Sequence, residues 1–322
     1  MRALLLAKLA PVAPYRRAPA SAIGHVLAEE VRAAAPVPAA PVAMRDGWAV
    51  AAAETEGASP YAPVPIPGAA LRLGPGQALP PGTDALLDPF DMDGDGPLPL
   101  ALQQATPGDG VRAPGGEIEA GRVIRAAGES LRAADLPALA ALGVREVAVR
   151  VPRLALRHAD PAVLALLSAW TVAAGAETQD GPPDLVLTQE GGLAEAMTGM
   201  GARPGMAAGI GREGGVPAVL LPPLAEDAVA AWLLLGLPAL RALAGAAAPA
   251  PIRARLARKV ASTVGLAELV PLALDGAGVA TPLAVGALPL QALSAAAAVL
   301  VVPPGAEGYE AGAEIEAEAL PR

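Results

Sequence analysis

The sequence predicts an α/β-plus-β protein built from several domains. Three observations carry that reading. Strand-like and helix-like stretches alternate from residue 144 to 247, the pattern of a parallel α/β domain. Short apolar runs punctuated by proline fill 37–114, which reads as a compact β module. A further set of short strands closes the chain from 250 to 322 as a small terminal β domain. With 322 residues the chain is long enough for two or more domains.

Taken in order, residues 17–36 read as a helix, because Ile23, Val26, Leu27 and Val31 recur at helical spacing and Pro36 stops it. Within 37–114 the runs PVPIP, ALRLG and DALLD read as small strands. The segment SLRAADLPALAALG reads as a helix, with Ser130 and Asp135 as candidate caps and Gly143 as its stop. REVAVRVPRLALRH supplies strand material, AVLALLSAWTVAAG an apolar helix, and DLVLT and PAVLLP two more strands. EDAVAAWLLLGLPALRALAG is a long helix, followed by the strands LVPLAL, GVATPLAV, AAVLVVP and EIEAEAL.

Composition excludes several function classes. A net charge of -9 disfavours a nucleic-acid binder, which needs clustered Lys and Arg. The absence of cysteine removes disulfides, thiolate nucleophiles and Cys-ligated metals. Two histidines, His25 and His158, leave no His-rich metal site. His25 is expected in a helix with a structural role, and His158 in a loop after a strand, where a ligand contact and an ordinary loop position both remain open. Lys8 interrupts the N-terminal apolar run after five residues, short for a signal peptide. The most apolar stretch, Ala228–Leu240, is short for a membrane span and contains Pro238. The expectation is a cytoplasmic protein with no membrane or nucleic-acid partner.

Two local motifs fail their context tests. The run 209-GIGREG-214 precedes a strand instead of following one, so it reads as a hairpin or a strand-connecting turn and not a nucleotide loop. The run 91-DMDGDG-96 starts like a calcium loop, but its twelfth position is Leu102 where a bidentate Glu is required, so it reads as an acidic turn.

Five segments carry a resemblance in their order and spacing. These are 41-PVAMRDGWAV-50, 79-LPPGTDALL-87, 111-VRAPGGEIEAG-121, 128-GESLRAADLPALAALGVREVAV-149 and 300-LVVPPGAEGYEAGAEIEA-317. Together they resemble the molybdopterin molybdenumtransferase family of the MoeA/gephyrin type along nearly the whole chain. The resemblance implies an elongated linker domain from 1–40 and 115–147, an inserted β domain over 41–114, an α/β molybdopterin-binding-like domain over 148–247, and a C-terminal small β-barrel over 248–322. It also implies a homodimer that binds adenylylated molybdopterin and molybdate, hydrolyses the adenylate and transfers the metal, with Mg as a further ligand. Cofactor-synthesis proteins or molybdoenzymes are the implied partners. Such chemistry calls for carboxylates to hold a divalent metal and for cations and amides to hold phosphate and molybdate.

Residue by residue, Asp46 matches the catalytic aspartate of the family's DG motif. Arg112 matches the arginine of the VR segment, and Glu117 keeps an acid where the family has Asp. Arg203 replaces the first lysine of a KPGKP-like segment, and Ser262 keeps the serine of a PSxxGRxE-like segment. Asp46 and Glu117 are the candidate Mg ligands. Other positions have lost their groups. The glutamate of the first strand loop is Ala162, the second lysine is Met206, the Gly and Asn of the LPGNP loop are Pro223 and Leu224, and the GRRE-like arginines are Leu266 and Ala267. Pro223 lacks the amide an anion nest needs. Two readings follow: a molybdenumtransferase-like enzyme with an altered site, or a non-catalytic molybdopterin carrier or scaffold. Asp46-Gly47 is correspondingly either half of a site or a tight turn.

Overall fold

The computed structural model describes residues 1–67, 71–94, 98–178 and 181–321. It divides into two compact units. One comprises Met1–Glu30, Ala126–Ala134 and Glu146–Arg322, the other Val31–Arg125 and Asp135–Arg145.

The larger unit holds the α/β layer and a closed barrel. Its five-stranded sheet runs in the order Leu154–Arg157, Leu185–Thr188, Val216–Leu220, Gly209–Glu213, Ala194–Thr198. The first three strands are parallel, as the strand–helix alternation predicts. The last two add antiparallel pairings, and the one between Gly209–Glu213 and Val216–Leu220 is the hairpin that the GIGREG run suggests. For the pair Gly209–Glu213 and Val216–Leu220 the cause is the turn Gly214-Gly215, whose φ values of 56° and 86° form a tight connection. A turn that short joins only antiparallel neighbours. The GIGREG run is accordingly the rising strand of this hairpin and no phosphate loop.

Helix Pro161–Ala173 is started by Asp160, whose carboxylate accepts from the Ala162 amide at 2.8 Å, and by Pro161 in its first turn. The long apolar helix is continuous from Ala225 to Ala244 but widens to a π-turn over Trp232–Gly236. Pro238 follows directly and has no N–H for the usual helical bond, so the wider turn accommodates the break. This helix is long and apolar enough to cross a membrane by composition, and it exceeds the span read from the sequence. Since 78% of that stretch is buried inside the protein, it is a core helix. It packs with Trp170, Leu167, Leu187 and the N-terminal Leu5 in one apolar cluster.

The barrel contains Ile252–Leu256, Ala267–Leu274, Val279–Pro282, Ala298–Val302 and Glu314–Ala319. Pairing of Ala267–Leu274 with both Val279–Pro282 and Ala298–Val302 closes the ring. Val270, Leu272, Leu300 and Ile315 fill its interior, while Leu269 and Val299 join the α/β core outside.

The helix expected over 17–36 is absent. A 3-10 turn at Pro19–Ala22 leads to strands Val26–Leu27 and Val31–Arg32. Leu27 pairs with Val149, and Arg32 with Val123. Gly24, at φ 85°, breaks the helical path between the 3-10 turn and the first of these strands. Long-range strand pairing here overrides local periodicity. His25 therefore lies in a turn. Arg17 donates to its Nε2 at 2.9 Å and its Nδ1 donates to Gly175 O at 3.0 Å, a structural role.

The smaller unit is β-rich, as the proline-punctuated runs predict. One sheet orders Leu71–Leu73, Gly47–Val50 and Ala85–Leu87, and another orders Val64–Pro65, Leu100–Ala101 and Met92–Asp93. The acidic run at 91–96 begins just before the last of these strands, and its residues 95 and 96 lie outside the described residues. Asp135 precedes helix Leu136–Ala141 but makes no capping bond. Its buried carboxylate instead accepts from Arg125 twice, at 3.0 and 2.6 Å. Arg125→Ala removes these two bonds from a buried carboxylate and is expected to destabilise the chain by about 3 kcal/mol, read as a lowered urea midpoint.

Candidate functional site

The sequence-predicted site residues fall into two groups, one in each unit. Asp46, Arg112 and Glu117 belong to the smaller unit, and Arg203 and Ser262 to the larger.

In the smaller unit, strands Val42–Ala43 and Val111–Arg112 pair with Val42 opposite Arg112. The chain then passes through Met44, Arg45 and Asp46 into strand Gly47–Val50. Arg45 anchors this passage. It donates to Leu86 O at 3.0 Å and to Asp109 at 3.2 Å, and pairs with Asp88. The half-exposed carboxylate of Asp46 accepts from Arg72 Nε at 3.1 Å and Nη2 at 2.5 Å. Hydrogen bonding by the Arg72 guanidinium holds Asp46 below the ordinary aspartate range. Gly47 is the first residue of a strand, not the corner of a turn. A Cβ there would be driven into the carbonyl oxygen of Leu87, so close strand approach requires the glycine. Trp48 donates its indole N–H to Pro89 O at 3.3 Å.

Arg112 and Glu117 form an ion pair with each other. They line a cleft of about 380 Å³ together with Pro38, Val42, Met44 and Gly76. The strand Val42–Ala43 thus connects this cleft to the Asp46–Arg72 pair.

In the larger unit, Arg203 lies on a short strand parallel to the start of Ala267–Leu274. Its Nη1 is 3.4 Å from Oε1 of Glu268, a carboxylate only 3% exposed. The second oxygen of Glu268 accepts from the Thr263 amide at 3.3 Å. Ser262 is adjacent in the chain, with a buried hydroxyl that has no hydrogen-bond partner among the described residues. Glu268 therefore links Arg203 to the segment next to Ser262. It occupies the acid position of the PSxxGRxE-like segment, so its retention was legible in the sequence. Arg72 was not, because its pairing with Asp46 depends on a strand register 26 residues away.

The loops at the C-terminal ends of the parallel strands, where α/β sheets place ligands, are tied to one another. His158 donates from Nε2 to Pro222 O at 3.1 Å and accepts from the Asp160 amide at Nδ1. Gln189 accepts from the Ala159 amide at 2.8 Å. Arg157 pairs with Glu213 and lies 3.8 Å from Glu190. At the former anion nest, Asp227 accepts from the Gly205 amide at 2.5 Å and Glu226 from the Leu288 amide at 2.9 Å. The protein's own carboxylates thus stand at the helix N-terminus that would attract an anion.

These features define a multidomain protein with an inserted β module, an α/β layer and a terminal barrel. A model of the MoeA N-terminal region (domain I and II) matches residues 1–143, and one of the MoeA C-terminal region (domain IV) matches 253–320. Together they span more than half of the sequence, and the chain belongs to the MoeA family. Molybdopterin molybdenumtransferase 2 of Mycobacterium tuberculosis, strains CDC 1551 / Oshkosh and ATCC 25618 / H37Rv, is 33% identical over 147 residues. That stretch covers 40% of this chain and 36% of the relatives' length. The crystal structure of the molybdopterin biosynthesis moeA protein from Pyrococcus horikoshii OT3 aligns at a TM-score of 0.77 and 21% identity, covering 99% of this chain and 98% of that one. A molybdenum cofactor biosynthesis protein from Pyrococcus furiosus aligns at 0.63 and 20% identity, covering 99% and 97%. At these identities the likeness establishes the fold.

The residues do not fit the Mg that the family resemblance implies. Asp46 and Glu117 each have an arginine counter-ion. No group of three or more His, Asp or Glu side chains converges among the described residues.

Two outcomes follow. Gly47→Ala is expected to destabilise by about 1–3 kcal/mol through strand displacement, measured by thermal unfolding. In an NMR titration the Asp46 carboxyl should titrate below 3.8, and Arg72→Ala should move it back up toward that value. A depressed folded-state value means that the pairing stabilises above 3.8, and that its contribution is lost as pH falls through the lowered value.

Proposed function

We propose that this chain acts in molybdenum cofactor biosynthesis, handling adenylylated molybdopterin and molybdate at a molybdenumtransferase-like site that has been altered. One observation carries the proposal: Asp46 of the DG motif is held half-exposed by Arg72, two residues along the chain from Met44, which lines a cleft with Arg112 and Glu117. Within the smaller unit Arg112 is the cation for phosphate and molybdate oxygens, and within the larger unit Arg203 and Ser262 are the polar groups proposed for that role. The working form is a cytoplasmic homodimer with the four-domain division described from the sequence.

A second reading, a non-catalytic molybdopterin carrier or a scaffold for cofactor enzymes, is favoured by one specific feature. The strand-end loops spend their polar groups on one another, through His158, Gln189 and Arg157. A group already bonded inside the protein must lose that bond before it meets a ligand.

Titrating the purified protein with molybdopterin, with and without molybdate, separates these readings. Saturable binding weakened by Arg112→Ala is expected under both. Adenylate hydrolysis lost in Asp46→Ala supports the transferase, and binding without turnover supports the carrier. Absence of binding overturns the transferase and the carrier.

A further inference from the structure

The smaller unit exposes aromatic surface that no internal contact explains. The chain has a single phenylalanine, three tyrosines and three tryptophans. Phe90 is 90% exposed and Tyr61 is 99% exposed. They share one end of a sheet. Ala101, in the central strand, pairs antiparallel with Val64 on one side and Met92 on the other. The two outer strands therefore run in the same direction. Tyr61, three residues before Val64, and Phe90, two before Met92, leave the sheet at the same end.

The surrounding charge has one sign. Arg45, Arg72 and Arg112 are the only Lys or Arg residues between positions 33 and 121, and each has a carboxylate partner within the unit. Glu54, Glu56 and Asp91 form no ion pair among the described residues. The Leu102 amide donates to Asp91 O at 2.8 Å, and the Gly57 amide to Gln104 at 3.2 Å. These bonds hold the acidic turns at the aromatic end. Isolated apolar side chains on a surface are ordinary. Two aromatic side chains exposed at one sheet end, among uncompensated carboxylates, make a surface suited to cations. The ring faces attract guanidinium and ammonium groups, and the carboxylates hydrogen-bond them.

We propose that this end of the smaller unit, built on Tyr61, Phe90, Glu54, Glu56 and Asp91, docks a basic segment of another protein in which arginines alternate with apolar residues. The cations sit on the ring faces and carboxylates, and the apolar residues cover the ring edges. The acidic rim speeds encounter and the aromatics supply most of the retained affinity.

Fluorescence anisotropy of the full chain with two synthetic peptides tests this. One peptide alternates arginine with leucine, and the other alternates arginine with glycine at the same charge. The leucine peptide is expected to bind more tightly. The paired substitution Tyr61→Ser and Phe90→Ser should weaken it about tenfold with an unchanged thermal midpoint. Glu54→Gln with Glu56→Gln should weaken binding and flatten its salt dependence. Three results would overturn the proposal: equal binding of the two peptides, undiminished binding by the aromatic variant, or sedimentation showing that this variant dissociates a wild-type dimer. In the last case the surface contacts a second copy of the chain.

Discussion

Strand Ala267–Leu274 is the constraint on which the larger unit depends. It closes the barrel by pairing on both sides, and its side chains are buried on both faces. Val270 and Leu272 point into the barrel while Leu269 belongs to the α/β core. Residues facing opposite ways along one strand therefore join two apolar clusters. The same strand carries Glu268, whose two oxygens reach Arg203 and the Thr263 amide. Packing thus sets where the charged group sits, and the charged group in turn links Arg203 to the segment next to Ser262.

Electrostatic self-sufficiency runs through the candidate site. Asp46 meets Arg72, Glu117 meets Arg112, and Glu268 meets Arg203. A guanidinium that grips a carboxylate with two parallel bonds answers most of its demand for positive charge. Asp46 and Arg72 are both about half exposed, so solvent screens their attraction and makes the pair exchangeable. An anionic ligand would compete with Asp46 for Arg72, and binding there would amount to a swap of partners.

Much of the architecture was legible in the sequence because its signals are local. Apolar runs ending at glycine or proline marked the barrel strands and helix Pro161–Ala173. The family's DG, VR and PSxxGRxE-like segments likewise located Asp46, Arg112 and Ser262. The misreadings occurred where a distant partner decides the outcome. Ile23, Val26, Leu27 and Val31 have helical spacing, yet Leu27 bonds within a sheet to a strand more than a hundred residues away. Gly47 looked like a turn residue, but it is required by the approach of the Leu87 carbonyl. Arg72 carries no motif, and only the register that sets it opposite Trp48 brings it to Asp46.

The pairing of Trp170 with Trp232, at 5.3 Å between ring centroids, has an optical consequence. Both indoles lie in the core of the larger unit, beside the π-turn, and the third tryptophan, Trp48, lies in the smaller unit. Their close approach couples the two buried chromophores, so the near-ultraviolet circular dichroism of the chain carries a signal from the packing of helix Pro161–Ala173 against the widened turn.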